Sequence, residues 1–176
     1  MRKYFFAALC LAAVLCAASF AACSESAGSK RYAGDRVTRI DVMGQTHAEL
    51  FEPDGAVLLR SARECSAFQR KCAAAGLSDG AGEPSFEGQI GGYGTDYFEE
   101  GELLILCITH PYACYRSEVV SVEAGEDAVI IAVDVHIPGE GEACAAVIGE
   151  DLCFIELPAG FCGEREIRIE SRQVEG

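Results

Sequence analysis

Three histidines and ten cysteines carry most of the reactive chemistry available to this 176-residue chain near neutral pH. His110 and Cys114 lie four positions apart across Pro111, and a thiol beside an imidazole would make a nucleophile with its base. A spacing of four across a proline turn is not a geometry such pairs use, so His110 reads as a loop histidine beside a disulfide cysteine. His136 alternates onto the same face of an apolar segment as Asp134, the pattern of a solvated pair on a one-sided sheet. His47 falls in another element again. Glu99, Glu100 and Glu102 lack the alternating ligands and distant glutamate of a calcium loop, and read as the solvated flank of a short helix. Gly88, Gly91, Gly92 and Gly94 neither follow a strand nor open a helix with a lysine, so they do not make a phosphate cradle. The residues indicate no catalytic constellation, no metal site and no cofactor, and the expectation is a protein that is not an enzyme.

A different chemistry belongs to Cys23. Arg2 and Lys3 precede an apolar run over residues 4–22 that closes on Phe20-Ala21-Ala22, the layout of an export signal. A cysteine directly after Ala-Ala resembles the bacterial lipobox, whose thiol takes a diacylglycerol group and becomes the first mature residue. Phe20 stands where leucine is usual. A plain secretory signal, with Cys23 an ordinary thiol, is the alternative. On the lipidated reading, residues 1–22 are removed and the protein is held at the cell membrane through Cys23, facing outside the cytoplasm.

Residues 1–22 hold two of the 14 basic residues and none of the 28 acidic ones, leaving 12 against 28 and a net charge of −16. Such a surface repels nucleic-acid phosphates and anionic membranes alike, so any attachment to a membrane falls to the lipid. With Cys10 and Cys16 in the signal, seven cysteines remain besides Cys23: Cys65, Cys72, Cys107, Cys114, Cys144, Cys153 and Cys162. None of their spacings is Cys-x-x-Cys, which removes the zinc-ribbon and thioredoxin readings. An odd number outside the cytoplasm leaves at least one thiol unpaired, and packed free thiols compete evenly with disulfides. Cys107–Cys114 is the pairing the spacing suggests, because a chain reversal between them would join the ends of two neighbouring strands.

These side chains need elements to position them. Residues 23–36 are small, polar and charged, and read as a flexible tether before a single domain over 37–176. Strands are expected over 37–42, 56–59, 103–108, 118–123, 128–137, 153–157 and 166–170. The 103–108 run is continuously apolar, as in a strand covered on both faces. The 128–137 segment places Val129, Ile131, Val133, Val135 and Ile137 on one face, and Ile167 and Ile169 point inward on the last strand. Ser61 with Glu64 forms a capping box that opens a helix running to Ala75, with Gly76 as its stop. Residues 76–94 read as a glycine-rich loop, and 95–100 as a helical turn capped by Thr95 or Asp96. The expected architecture is α+β, an antiparallel and mostly meandering sheet with one helix from the N-terminal half packed on it.

Over residues 93–170 the chain resembles the PrcB-like family, named for a protease-complex subunit. The resemblance rests on Tyr93-Gly94-Thr95-Asp96-Tyr97-Phe98, the strand Leu103-Leu104-Ile105-Leu106, the hairpin over 118–137 and the closing Phe154-Ile155-Glu156-Leu157-Pro158. Gly94 replaces the family's aspartate, and His110-Pro111-Tyr112-Ala113-Cys114-Tyr115 replaces its glycine-rich loop. The resemblance implies a non-catalytic role, stabilising or accompanying another extracytoplasmic protein such as a protease. The residues themselves add Pro111, Tyr112, Tyr115 and Arg116, an aromatic and arginine set suited to protein contact, although the tyrosines could equally pack back on the sheet. Two further readings stay open: a small protease inhibitor presenting the 109–116 loop, and a lipoprotein that binds a small ligand.

Overall fold

A computed structural model describes residues 30–32, 36–43, 50–51, 55–77, 84–139 and 141–175. The segment 1–22 expected to be an export signal, Cys23 and His47 lie outside the described residues. The strands are β1 (Lys30–Tyr32), β2 (Val37–Met43), β3 (Ala56–Leu59), β4 (Gly101–His110), β5 (Arg116–Ala124), β6 (Ala128–Ile137), β7 (Gly149–Pro158) and β8 (Glu166–Glu175). Between β3 and β4 come the helices α1 (Ala62–Ala74), α2 (Phe86–Gly91) and α3 (Thr95–Glu100). The fold is α+β and mostly β. β1 falls within the stretch that the sequence assigns to the tether and pairs with the far end of β5.

The strands form two four-stranded sheets, β1-β5-β6-β8 and β2-β7-β4-β3, rather than one. The reason lies in β4 and β7, whose side chains are buried on both faces along most of their length. Leu104 and Leu106 of β4, with Cys153, Ile155 and Leu157 of β7, share one apolar cluster with Val119, Val122, Val129, Ile131, Val133 and Val135 of the first sheet. Their neighbours Leu103, Ile105, Cys107, Leu152 and Phe154 point the other way. These join Cys65, Phe68 and Cys72 of α1 and Phe86 and Ile90 of α2 in a second cluster. Ile167 and Ile169 are only half-buried, because β8 is an edge strand.

Every pairing is antiparallel except that of β6 with β8, which is parallel. Parallel neighbours need a long crossover, and here β7 is part of it, spent in the other sheet.

Ser61 caps α1 by accepting the Glu64 N–H at 3.2 Å, while Glu64 reaches back to the Arg60 N–H, one residue before the usual capping-box partner. The helix ends in a Schellman arrangement, with Leu77 N–H on the Cys72 carbonyl and Gly76 N–H on that of Ala73. Gly76 has φ of +79°, which explains the glycine. Ser85 caps α2 inside the stretch expected to be loop, and the cap residue of α3 is Gly94, not Thr95 or Asp96.

Candidate functional site

β4 and β5 are joined by a turn over residues 111–115 that stands on a buried polar base. His110 ends β4, Ser117 lies near the start of β5 and Asp151 is on β7; all three are at most 4 % exposed. His110 Nε2 lies 2.9 Å from Asp151 Oδ2 and 2.9 Å from Ser117 Oγ. The Ser117 N–H also donates to Asp151 Oδ2, at 2.5 Å. A serine–histidine–aspartate relay places the acid on one ring nitrogen and the hydroxyl on the other. Here both share Nε2 and all are sealed from solvent, so the trio ties three strands together and cannot work as a relay.

Asp151 also faces Asp41 directly across the β2–β7 ladder. Burial works against its charge, but hydrogen bonds from His110, the Ser117 N–H and Asp41 outweigh this and hold its carboxyl below the usual range. Asp41 is pushed up, by burial first and then by its hydrogen bond to Asp151.

Above this base the turn is braced from within. Arg116 Nη1 donates to the carbonyls of Ala113 at 2.6 Å and Tyr115 at 2.8 Å, and its Nε lies 3.8 Å from Asp41 Oδ2. The Tyr115 ring packs against the core between the sheets and sits 6.2 Å from the His110 ring, with the Tyr112 ring tilted against it at 5.5 Å. The four candidate contact residues therefore divide. Tyr112 is 41 % exposed and Pro111 is exposed, whereas Tyr115 and Arg116 serve the turn itself.

Cys114 bonds to Cys144, their Cα atoms 5.6 Å apart, and this overturns the Cys107–Cys114 pairing. β4 runs on past Cys107 to His110, and β5 enters the other sheet, so the two cysteines are not at facing strand ends. Cys107 is a buried free thiol pushed up to about 12, chiefly by burial and then by the nearby Glu150 charge. Cys65, Cys72, Cys153 and Cys162 are likewise buried and free.

The disulfide staples the turn to the segment 138–148, which the sequence reading left out of the site. Val147 and Ile148 there are 48 % and 47 % exposed. The next residue, Gly149, is so close to the turn that a Cβ on it would meet Ala113 Cα at 3.0 Å and the Tyr112 carbonyl at 3.4 Å. No spacing in the sequence ties Cys144, among seven cysteines, to the turn, so this half of the site carries no local signal.

Other candidates resolve differently from expectation. His136 pairs with Glu118 at 3.0 Å and Asp134 with Arg172, so each hydrogen-bonds elsewhere and their contact with each other is electrostatic only. Glu99 and Glu100 are solvated, but Glu102 is 1 % exposed. Its Oε1 accepts the Cys162 N–H, and its Oε2 lies 3.6 Å from Arg60 Nε. Among the described residues no group of three or more His, Cys, Asp or Glu could hold a metal ion.

Comparison with protein-family models, curated proteins and solved structures found no match.

Proposed function

We propose that this chain is a lipid-anchored, extracytoplasmic binding module that accompanies or stabilises another secreted protein. The observation that carries the contact is Tyr112, exposed on a braced turn whose backbone lies against Gly149, the residue that follows the exposed Val147 and Ile148. A disulfide and the Arg116 hydrogen bonds fix this surface in the free protein, which lowers the ordering cost of binding. An exposed aromatic side chain, with exposed aliphatic residues on the segment stapled to its turn, is the composition of an interface centre. The anchor is supported by Phe20-Ala21-Ala22-Cys23, and a protease as partner by the PrcB-like pattern over residues 93–170.

The same bracing favours a second reading, an inhibitor whose rigid 109–116 loop enters a protease cleft. Both are tested with the full chain, recovered from detergent-solubilised membranes with its bound proteins. Tyr112→Ala should weaken the recovered complex by about 2 kcal/mol or more while the melting midpoint holds. Equal recovery and affinity with Tyr112→Ala would remove the turn from the interface. Inhibition within a panel of secreted proteases would select the second reading.

A further inference from the structure

Among the described residues four strands stand at sheet edges, and three of them carry charged residues: Lys30 and Arg31 on β1, Arg39 and Asp41 on β2, and five charged positions from Glu166 to Glu175 on β8. Charges on an edge strand discourage other chains from pairing with it. β3, Ala56-Val57-Leu58-Leu59, has no charge and no proline. Its one protective feature is its length of four residues.

The backbone register says which groups it offers. Gly55 O accepts the Cys107 N–H at 2.8 Å, and Val57 and Leu59 stand opposite Ile105 and Leu103 in the same alternation. In an antiparallel ladder alternate residues exchange bonds with the partner. Ala56 and Leu58 therefore direct their N–H and C=O groups away from β4, to an edge that no strand among the described residues covers.

That edge opens on a groove of about 580 Å³. Leu50, Ala67, Phe68 and Ile167 line it with β3, and Glu64, Lys71, Arg165 and Glu166 bring charge to it. The geometry points to a docking site for an extended, uncharged, apolar segment of another polypeptide, added to β3 as a further strand. A strand matches the alternating backbone groups that no described strand meets, and the apolar lining takes its inward side chains. Four residues of it span roughly 13 Å. The two acids and two bases cancel in a chain whose net charge is −14, so a neutral segment is not repelled. A second copy would set one acidic protein against another, which disfavours self-pairing at this edge.

The test uses the purified full chain and a fluorescein-labelled Val-Thr-Val-Thr-Val-Thr-amide, read by fluorescence polarisation. The probe should bind with a dissociation constant below about 1 mM, the weak end of recognition. The same peptide N-methylated at every amide should lose binding at least tenfold, because it has no donors for the edge. Ala67→Arg, on the half-buried wall of α1, should also cost at least tenfold while the melting midpoint is kept. Should that variant fold poorly, the methylated probe on the parent chain decides. Tyr112→Ala should leave probe binding unchanged, which separates this site from the turn. The inference fails if the probe does not bind at about 1 mM, if the methylated form binds equally, or if Ala67→Arg has no effect. It also fails if the parent is a dimer that Ala67→Arg dissociates, since the groove is then filled by a second copy.

Discussion

Replacing Cys114 and Cys144 together by serine removes the one covalent link between the turn and the 138–148 segment among the described residues. The bond closes a loop of 30 residues, and the chain entropy it removes from the unfolded state corresponds to about 3.6 kcal/mol at 25 °C. For a domain of this size each kcal/mol moves the midpoint by roughly 2–4 °C, so the double variant should melt about 7–14 °C lower. Both cysteines sit outside the core clusters, so the serines add little cavity cost. Calorimetry without reductant gives the shift. Reductant should bring the parent toward the variant and leave the variant where it is. Alkylation in denaturant, before reduction, should label Cys107 and spare Cys114 and Cys144. A shift below about 1 kcal/mol, the size of an average point substitution, would refute the loop-closure reasoning. A protected Cys107 would refute the pairing.

Cys23→Ser should release the protein from the membrane fraction or stall its processing, and labelled palmitate should enter only the parent. Ile131→Ala should cost about 2–5 kcal/mol because the side chain is fully buried between the sheets, as chemical denaturation would show. Arg168→Ala, whose partner Glu166 is equally solvated, should leave the denaturation midpoint unchanged by the same measurement. Asp151 has a folded pKa below its ordinary 3.8, so the stability it supplies is present above that pH and is lost as pH falls through the lower folded value. Asp151→Asn should therefore destabilise the protein at neutral pH and flatten the loss of stability below pH 3.8. Gly149→Ala should displace the turn, seen as weaker partner binding, since the new Cβ meets Ala113 backbone at 3.0 Å.

Local order was legible where one periodicity dominated. The alternation of β6 names its buried face residue by residue, and Ser61, Glu64 and Gly76 mark both ends of α1. The continuous apolar run in β4 states that both faces are covered, yet says nothing of what covers them. A second sheet does so on one side, and its parallel β6–β8 pair depends on β7 leaving for the other sheet. No local pattern encodes such a departure. α2 went unseen because its glycines mask a short helix that Phe86 and Ile90, four apart, anchor to the core. For the site, Tyr112 was visible as an aromatic in a turn. Its partner segment was not, because Cys144 is one of seven cysteines and loop spacing does not choose among them. Glu102 and Asp151 look like surface acids in sequence, and only their long-range hydrogen bonds show why they are buried.

The placement of β7 sets when this chain can fold. Val37 pairs with Ile155, and β7 is the sole bridge between β2 and β4 in its sheet. Delivered from its N-terminus, whether by a ribosome or through a membrane pore, the polypeptide can close the β5–β6 hairpin early. The second sheet must wait until residues near 158 have emerged. Contacts that distant in sequence make folding slow and leave β2 unpaired and one edge of β4 open in the meantime. A chain cut short before β7 would leave β2 without a neighbour and β4 paired on one edge only, with β3. Commitment to the native state is therefore held back until nearly the whole domain is present.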